Sequence, residues 1–117
     1  MIRINRSRVL KCPIVILING RTESAAETFL VRIYEVPKRP ILIGQQTSGS
    51  TGAPLVIDLP HGACVRICTR CQLFPSSGRP FVNEGVLPDI GIDPLIEDYL
   101  TGYDRVLEQA LQILHNR

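Results

Sequence analysis

Two short apolar runs, Pro13-Ile14-Val15-Ile16-Leu17-Ile18 and Pro40-Ile41-Leu42-Ile43-Gly44, bracket a segment of helical period and narrow the folds open to this chain. Neither run alternates apolar with polar residues, and both are rich in β-branched side chains. That composition suits strands covered on both faces. Asn19-Gly20 breaks the first run, and from Ser24 to Val36 the pattern turns helical. Ala26, Phe29, Leu30 and Ile33 form its apolar stripe, while Glu27, Arg32 and Glu35 face away. Pro37 stops it. Strand, helix and strand in this order predict a right-handed βαβ unit in a mostly parallel sheet.

The remaining chain reads as smaller pieces around that unit. Gln45–Gly52 is a polar loop rich in Gly and Ser, expected to open on the same sheet edge as Ser24, where ligands bind in parallel sheets. It lacks the lysine of a phosphate-binding loop, so nucleotide binding is not supported. Leu55–Leu59 and Ala63–Thr69 read as strands joined by the turn Pro60-His61-Gly62. Asp93 with Pro94 reads as an N-cap and first helical residue, with Gly102 ending that short helix. Asp104 then caps an amphipathic helix carrying Val106, Leu107, Ala110, Leu111 and Leu114 on one face.

At 117 residues the chain makes one domain at most, in two parts: a basic N-terminal extension over 1–12, and 13–117. A net charge of +2 is too small to argue for nucleic acid or a membrane surface. Arg3, Arg6, Arg8 and Lys11 cluster at the start without interleaved aromatics. This basic start followed by Cys12–Ile18 imitates a signal peptide, but the apolar run is short and ends in Asn-Gly-Arg without a small-residue cleavage site. No stretch approaches the roughly 20 apolar residues of a membrane span.

The four cysteines Cys12, Cys64, Cys68 and Cys71, with His61, spell a His-x2-Cys-x3-Cys-x2-Cys string. A zinc site is not expected, because Cys64 and Cys68 lie on one predicted strand, about 13 Å apart, and four ligands around one ion need the chain to fold back. Small buried thiols are the expectation.

Ser24 is the residue of greatest chemical interest. It follows the carboxyl end of a strand and opens a helix, where unpaired backbone N–H groups can stabilise an oxyanion. The same Ser24-Ala25-Ala26-Glu27 also matches a capping box, in which the serine oxygen is spent on the helix and glutamate reaches back. Thr22 could take the cap instead and leave the Ser24 hydroxyl free. The residues alone leave both readings open.

Asn19-Gly20-Arg21-Thr22-Glu23-Ser24-Ala25-Ala26-Glu27 resembles the Asn-Gly-Gly-Thr-Ala-Ser-Ala-Ala-Glu of C-terminal processing (tail-specific) serine peptidases. Ile43-Gly44-Gln45-Gln46-Thr47-Ser48-Gly49-Ser50 is similar to that family's Val-Gly-Glu-x-Thr-x-Gly-Lys, and Leu59-Pro60-His61-Gly62 to its Leu-Pro-Asp-Gly. Phe74-Pro75-Ser76-Ser77-Gly78-Arg79 and Gly85-Val86-Leu87-Pro88-Asp89 are similar to its Thr-Pro-Ser-Gly-Arg and Gly-Val-x-Pro-Asp. These matches run in order from Pro13 to about Ile92.

The resemblance implies the C-terminal part of a catalytic domain, a partial α/β domain of the Clp protease and crotonase group. It implies Ser24 as the acylating nucleophile and the Ala25 N–H as part of the oxyanion hole. The substrate would be a peptide or protein; the Gln45–Gly52 loop reads either as a mobile connection or as an active-site wall whose Gln46 and Thr47 contact the substrate backbone. No cofactor or metal is implied, and a homo-oligomer is left open. The parent protein would work in the cell envelope, the periplasm or outside the cell.

The general base departs from the family pattern. Many members use a lysine closing the Thr-x-Gly-Lys loop, and allowing one extra residue in the turn around Pro37–Pro40, that position is Ser50. Lys11 and Lys38 are the only lysines, and Lys38 lies past the far end of a helix, about 20 Å from Ser24. A tricorn-like branch draws a histidine from the N-terminal half of the domain, which this chain lacks. His61 and His115 are expected to face solvent. Glu84 lies in the loop where that branch carries its acid, two positions beyond the aligned Val82.

The expected function is therefore a serine-type endopeptidase fragment, inactive alone, with its base in the missing N-terminal half of the parent domain. The alternative is a non-catalytic structural or interaction domain of the same fold. An acyl-processing enzyme of crotonase type is a third class, but nothing here resembles its coenzyme site.

Overall fold

A computed structural model describes residues 12–116; the basic cluster Arg3, Arg6, Arg8 and Lys11 lies outside them. The elements run β1 (Val15–Ile18), α1 (Ala25–Tyr34), β2 (Ile41–Gly44), β3 (Pro54–Asp58), β4 (Cys64–Cys68), β5 (Ile90–Gly91), α2 (Ile96–Thr101) and α3 (Arg105–His115). Both apolar runs form strands, and they pair in parallel with Val15 opposite Ile41 and Ile18 opposite Gly44. The short β5 adds a third parallel strand beside β2, giving the order β1-β2-β5.

Alternation along β1 and β2 sends Ile16, Ile18 and Leu42 to one face. There they pack with Leu30 and Val31 of α1 and with Phe74, Phe81 and Val86 from the later loops. Phe74 sits at the centre of an aromatic group, its ring 5.3 Å from Tyr34 and 6.0 Å from Phe81. The other face carries the fully buried Ile43, and α3 packs across β1 and β2 there with Ala110 buried. Elements thus lie on both faces of β2, whose Leu42, Ile43 and Gly44 are buried, whereas the expected two-sided cover is incomplete over β1, where Ile18 is buried but Leu17 is 41% exposed.

The inner face of α1 differs from the expected stripe. Glu27, Leu30 and Val31 are buried, whereas Phe29 is 55% exposed and Ala26 is also exposed. The helix is turned so that a carboxylate points inward, because three hydrogen-bond donors await it there.

Arg39 locks the third strand onto the second. Its guanidinium makes a two-pronged pair with Asp89 at 2.6 and 2.7 Å and donates to the Tyr34 carbonyl, while Asp89 also accepts from the Leu42 N–H. The Arg39 fork holds the Asp89 carboxyl below its usual range, against the opposing effect of partial burial.

β3 and β4 form an antiparallel hairpin closed at Pro60–Gly62, where His61 adopts a φ of 65°. All ten strand residues are exposed. One hairpin face is wholly aliphatic, with Leu55 opposite Ile67 and Ile57 opposite Val65. This explains a failed expectation about the thiols. Cys12, Cys64, Cys68 and Cys71 are free and exposed rather than buried, because no second layer covers the hairpin that carries Cys64 and Cys68. Among the described residues no group of three or more His, Cys, Asp or Glu side chains is arranged to hold a metal ion. No described helix is long and apolar enough to cross a membrane.

The cap expected at Asp93 also differs. α2 starts at Ile96, and its entry is held by Asp98, which accepts from the Leu95 N–H and pairs with Arg105. Asp93 is engaged elsewhere, accepting from the Gln45 side chain at 2.8 Å. Gly102 does end the helix in the left-handed conformation at φ 71°, and Asp104 caps α3 by accepting from the Leu107 N–H.

Candidate active site

The site is built where β1 and β2 end. After Ile18 the chain turns tightly, with the Thr22 N–H donating to the Asn19 carbonyl at 2.9 Å. The Thr22 hydroxyl accepts from the Asn19 N–H at 3.1 Å, so it closes this turn and does not cap α1.

Ser24 does not cap the helix through its side chain either. It occupies the N-cap position with φ 57° and ψ −120°, and its hydroxyl makes no capping bond. A positive φ is uncommon for a residue with a Cβ and costs about 1–3 kcal/mol, which the surroundings must impose. Here they do so from both sides. The Ser24 N–H donates to the Ser50 carbonyl at 2.8 Å, and the Ser24 carbonyl accepts from the Thr28 N–H at 3.0 Å. The result is a sharp strand-to-helix turn that leaves Ser24 exposed. The next amide, Ala25 N–H, has no acceptor among the described residues. A free hydroxyl beside an unpaired N–H at a helix start is the minimum equipment of an acyl-transfer site.

Glu27, the other half of the expected capping box, turns away from the N-cap. Its carboxylate accepts from the Thr47 hydroxyl, from the Gly49 N–H at 2.6 Å and from the Ser50 N–H at 2.9 Å. The serine-to-glutamate spacing did signal a polar contact for Glu27, but its partners lie some twenty positions downstream. Sequence reasoning therefore missed the residue that organises the neighbouring loop.

That loop, Gln45–Gly52, does share the Ser24 edge: the Ser48 N–H donates to the Thr22 carbonyl at 3.0 Å. A second loop, 81–86, packs backbone to backbone against it. The Asn83 N–H donates to the Gly49 carbonyl at 2.8 Å, and the Thr47 N–H donates to the Val86 carbonyl at 3.1 Å. Gly49, at φ 70°, lies so near this loop that a Cβ on it would stand 2.8 Å from the Gly85 nitrogen.

Gln46 is exposed and its amide donates to the Glu84 carbonyl, so it ties the two loops at the rim. Thr47 points inward instead, only 5% exposed, its hydroxyl spent between Glu27 and the Val86 N–H. The Thr47 side chain therefore ties the loop to α1 and to Val86 and does not reach the rim. Glu84 is exposed on the 81–86 loop. Ser50, at the position of the family's lysine, contributes its main chain to both Ser24 and Glu27. Lys38 lies in the turn beyond the far end of α1, His61 at the hairpin tip and His115 at the end of α3. A cleft of about 450 Å³ opens along the same edge, between Gly20 and Gln46 on one side and Leu87, Pro88 and Ile92 on the other.

No curated protein sequence matches this chain. Among solved structures it is similar to a candidate peptidase from Parabacteroides merdae, with 27% identity and a TM-score of 0.73, over 87% of this chain and 31% of that one. It is similar to mature CPAF complexed with lactacystin at 25% identity and a TM-score of 0.70, over 90% of this chain and 21% of that one. The photosystem II D1 C-terminal processing protease matches at 32% identity and a TM-score of 0.54, over 70% of this chain and 21% of that one. The chain thus spans less than a third of the length of each of these structures. The match to the family described as Peptidase family S41 covers residues 3–92. With three-quarters of its length matched, and with the exposed serine on the strand-to-helix turn inside that stretch, the chain belongs to Peptidase family S41.

Proposed function

We propose that this chain carries the nucleophile and part of the oxyanion hole of a serine endopeptidase of the C-terminal processing kind. Ser24 Oγ attacks the carbonyl carbon of a peptide bond as its proton passes to a general base. The carbonyl oxygen gains negative charge and is met by the Ala25 N–H. The C–N bond then breaks, the amine leaves with that proton, and water releases the acyl group from Ser24 by the reverse sequence. The base is assigned to the N-terminal half of the parent domain, in keeping with the family resemblance; among the described residues no lysine or histidine lies on the loops around Ser24. Glu84 is the carboxylate of this loop cluster suited to orient such a base, and Gln46 lines the approach of the substrate main chain.

The observation that carries this reading is the backbone of Ser24. A serine held at φ 57° with an uncommitted hydroxyl gains nothing for the helix, whereas a nucleophile gains exposure and an adjacent N–H donor. Peptide hydrolysis tests it. The full-length protein should cleave peptides and lose that activity in Ser24→Ala, and the 117-residue chain alone should cleave negligibly. Robust cleavage by the chain alone would place the base within it, and unchanged cleavage in Ser24→Ala would remove the nucleophile.

A further inference from the structure

Glu27 is a fully buried carboxylate, and neither ion pair among the described residues involves it. Burying a carboxylate without a cation is costly unless donors satisfy it, and an apolar residue would fill the same space more cheaply. The three donors it collects all come from one short stretch of the neighbouring loop: the Thr47 hydroxyl and Gly49 N–H on Oε1, and the Ser50 N–H on Oε2. An ionised carboxylate is the side chain that accepts at both oxygens and donates at neither.

Ser50 then passes the restraint on. Its N–H is held by Glu27 and its carbonyl accepts from the Ser24 N–H at 2.8 Å. Ser24, Ala25, Ala26, Glu27 and Ser50 thereby close a ring, made of one helical turn and two hydrogen bonds. The ring fixes the peptide plane entering Ser24, and so the direction of its Oγ and of the following N–H. A strained φ persists only where the surroundings over-determine it.

We infer that Glu27 is a positioning residue, which holds Ser24 in its positive-φ conformation by clamping Ser50. The inference rests on Ser24 being the nucleophile, and it adds a residue that acts on that serine through the loop. Glu27→Gln keeps the volume but turns one acceptor into an NH2 group facing a main-chain N–H, so the clamp opens.

Two readouts on the full-length protein test this: the second-order rate of fluorophosphonate labelling at Ser24, and hydrogen exchange of the Ser24, Ser50 and Ala110 amides. In Glu27→Gln the labelling rate should fall at least tenfold and the Ser24 and Ser50 amides exchange at least tenfold faster, with Ala110 in α3 unchanged. Wild-type labelling and exchange at Ser24 would overturn the inference. So would exchange that rises equally at Ala110, which is the mark of a general loss of stability. Should Glu27→Gln fail to fold, Thr47→Val removes one of the three donors and should give the same pattern at smaller amplitude, with Thr47→Ser restoring it. Unaltered Ser24 exchange in Thr47→Val counts against the clamp. If the unsubstituted protein does not label at Ser24, the nucleophile reading falls, while amide exchange still decides what Glu27 holds.

Discussion

Replacing Ser24 with glycine should stabilise the protein, which is the reverse of what a helix cap would do. Ser24 sits at φ 57° and ψ −120° with no side-chain capping bond. Strain of this kind is worth about 1–3 kcal/mol, and glycine relieves it. Glycine also loses more backbone freedom on folding, about 0.5–1 kcal/mol relative to alanine. The balance for Ser24→Gly is a gain of about 1 kcal/mol. Ser24→Ala keeps the strain and forfeits only an exposed hydroxyl, so it should stay within about 0.5 kcal/mol of the parent. A capping serine orders the series differently: alanine would cost about 0.5–2 kcal/mol and glycine a few tenths, both below the parent. Urea unfolding separates the two. With a slope of about 1–3 kcal/mol per molar, a gain of about 1 kcal/mol raises the midpoint by about 0.3–1 M. A midpoint for Ser24→Gly below that of the unsubstituted protein would refute the strained-turn argument.

Gly49→Ala should destabilise by more than about 1 kcal/mol, since the new Cβ meets the Gly85 nitrogen at 2.8 Å and the backbone holds φ 70°; thermal unfolding of the variant checks it. Stability should also fall on acidification. Hydrogen bonds hold Asp89 (from Arg39), Asp98 (from Arg105) and Glu35 (from Ser77 and Ser76) below their ordinary values. The unfolded chain therefore binds more protons than the folded one in that range. The contribution is full above the ordinary carboxylate range near about 4, and it is lost as the pH drops through the lowered values. Urea midpoints that are flat from neutral to strongly acidic pH would contradict it.

What could be read from the sequence was what depends on near neighbours. Pro13–Ile18 and Pro40–Gly44 are unbroken apolar runs bounded by Pro and Gly, and that is enough to specify two parallel strands and the helix between them, although only the second is buried along most of its length. The Pro60-His61-Gly62 turn, the Gly102 end of α2 and the Asp104 cap are likewise local chemistry, and each stands where it was read. What could not be read depends on distant partners. Glu27 belongs on the outer face by polarity, and only the donors at Thr47, Gly49 and Ser50 turn it inward. Asp93 has the residue type of a cap, but Gln45 takes its carboxylate first. The cysteines look like core residues by type, yet β3 and β4 form a hairpin without a covering layer. At the site, residue types and spacing singled out Ser24 but could not choose between cap and nucleophile. What removes the side-chain cap is a backbone dihedral held by the Ser50 carbonyl, twenty-six positions away.

A mapped covalent adduct is the decisive test of Ser24 as a nucleophile. The full-length protein is treated with a fluorophosphonate, in which Ser24 Oγ would displace fluoride from phosphorus, and the modified peptide is identified by mass spectrometry. One adduct is expected on the peptide carrying Ser24, absent from Ser24→Ala although that variant unfolds at nearly the same temperature. An adduct elsewhere, or undiminished labelling of Ser24→Ala, would contradict it.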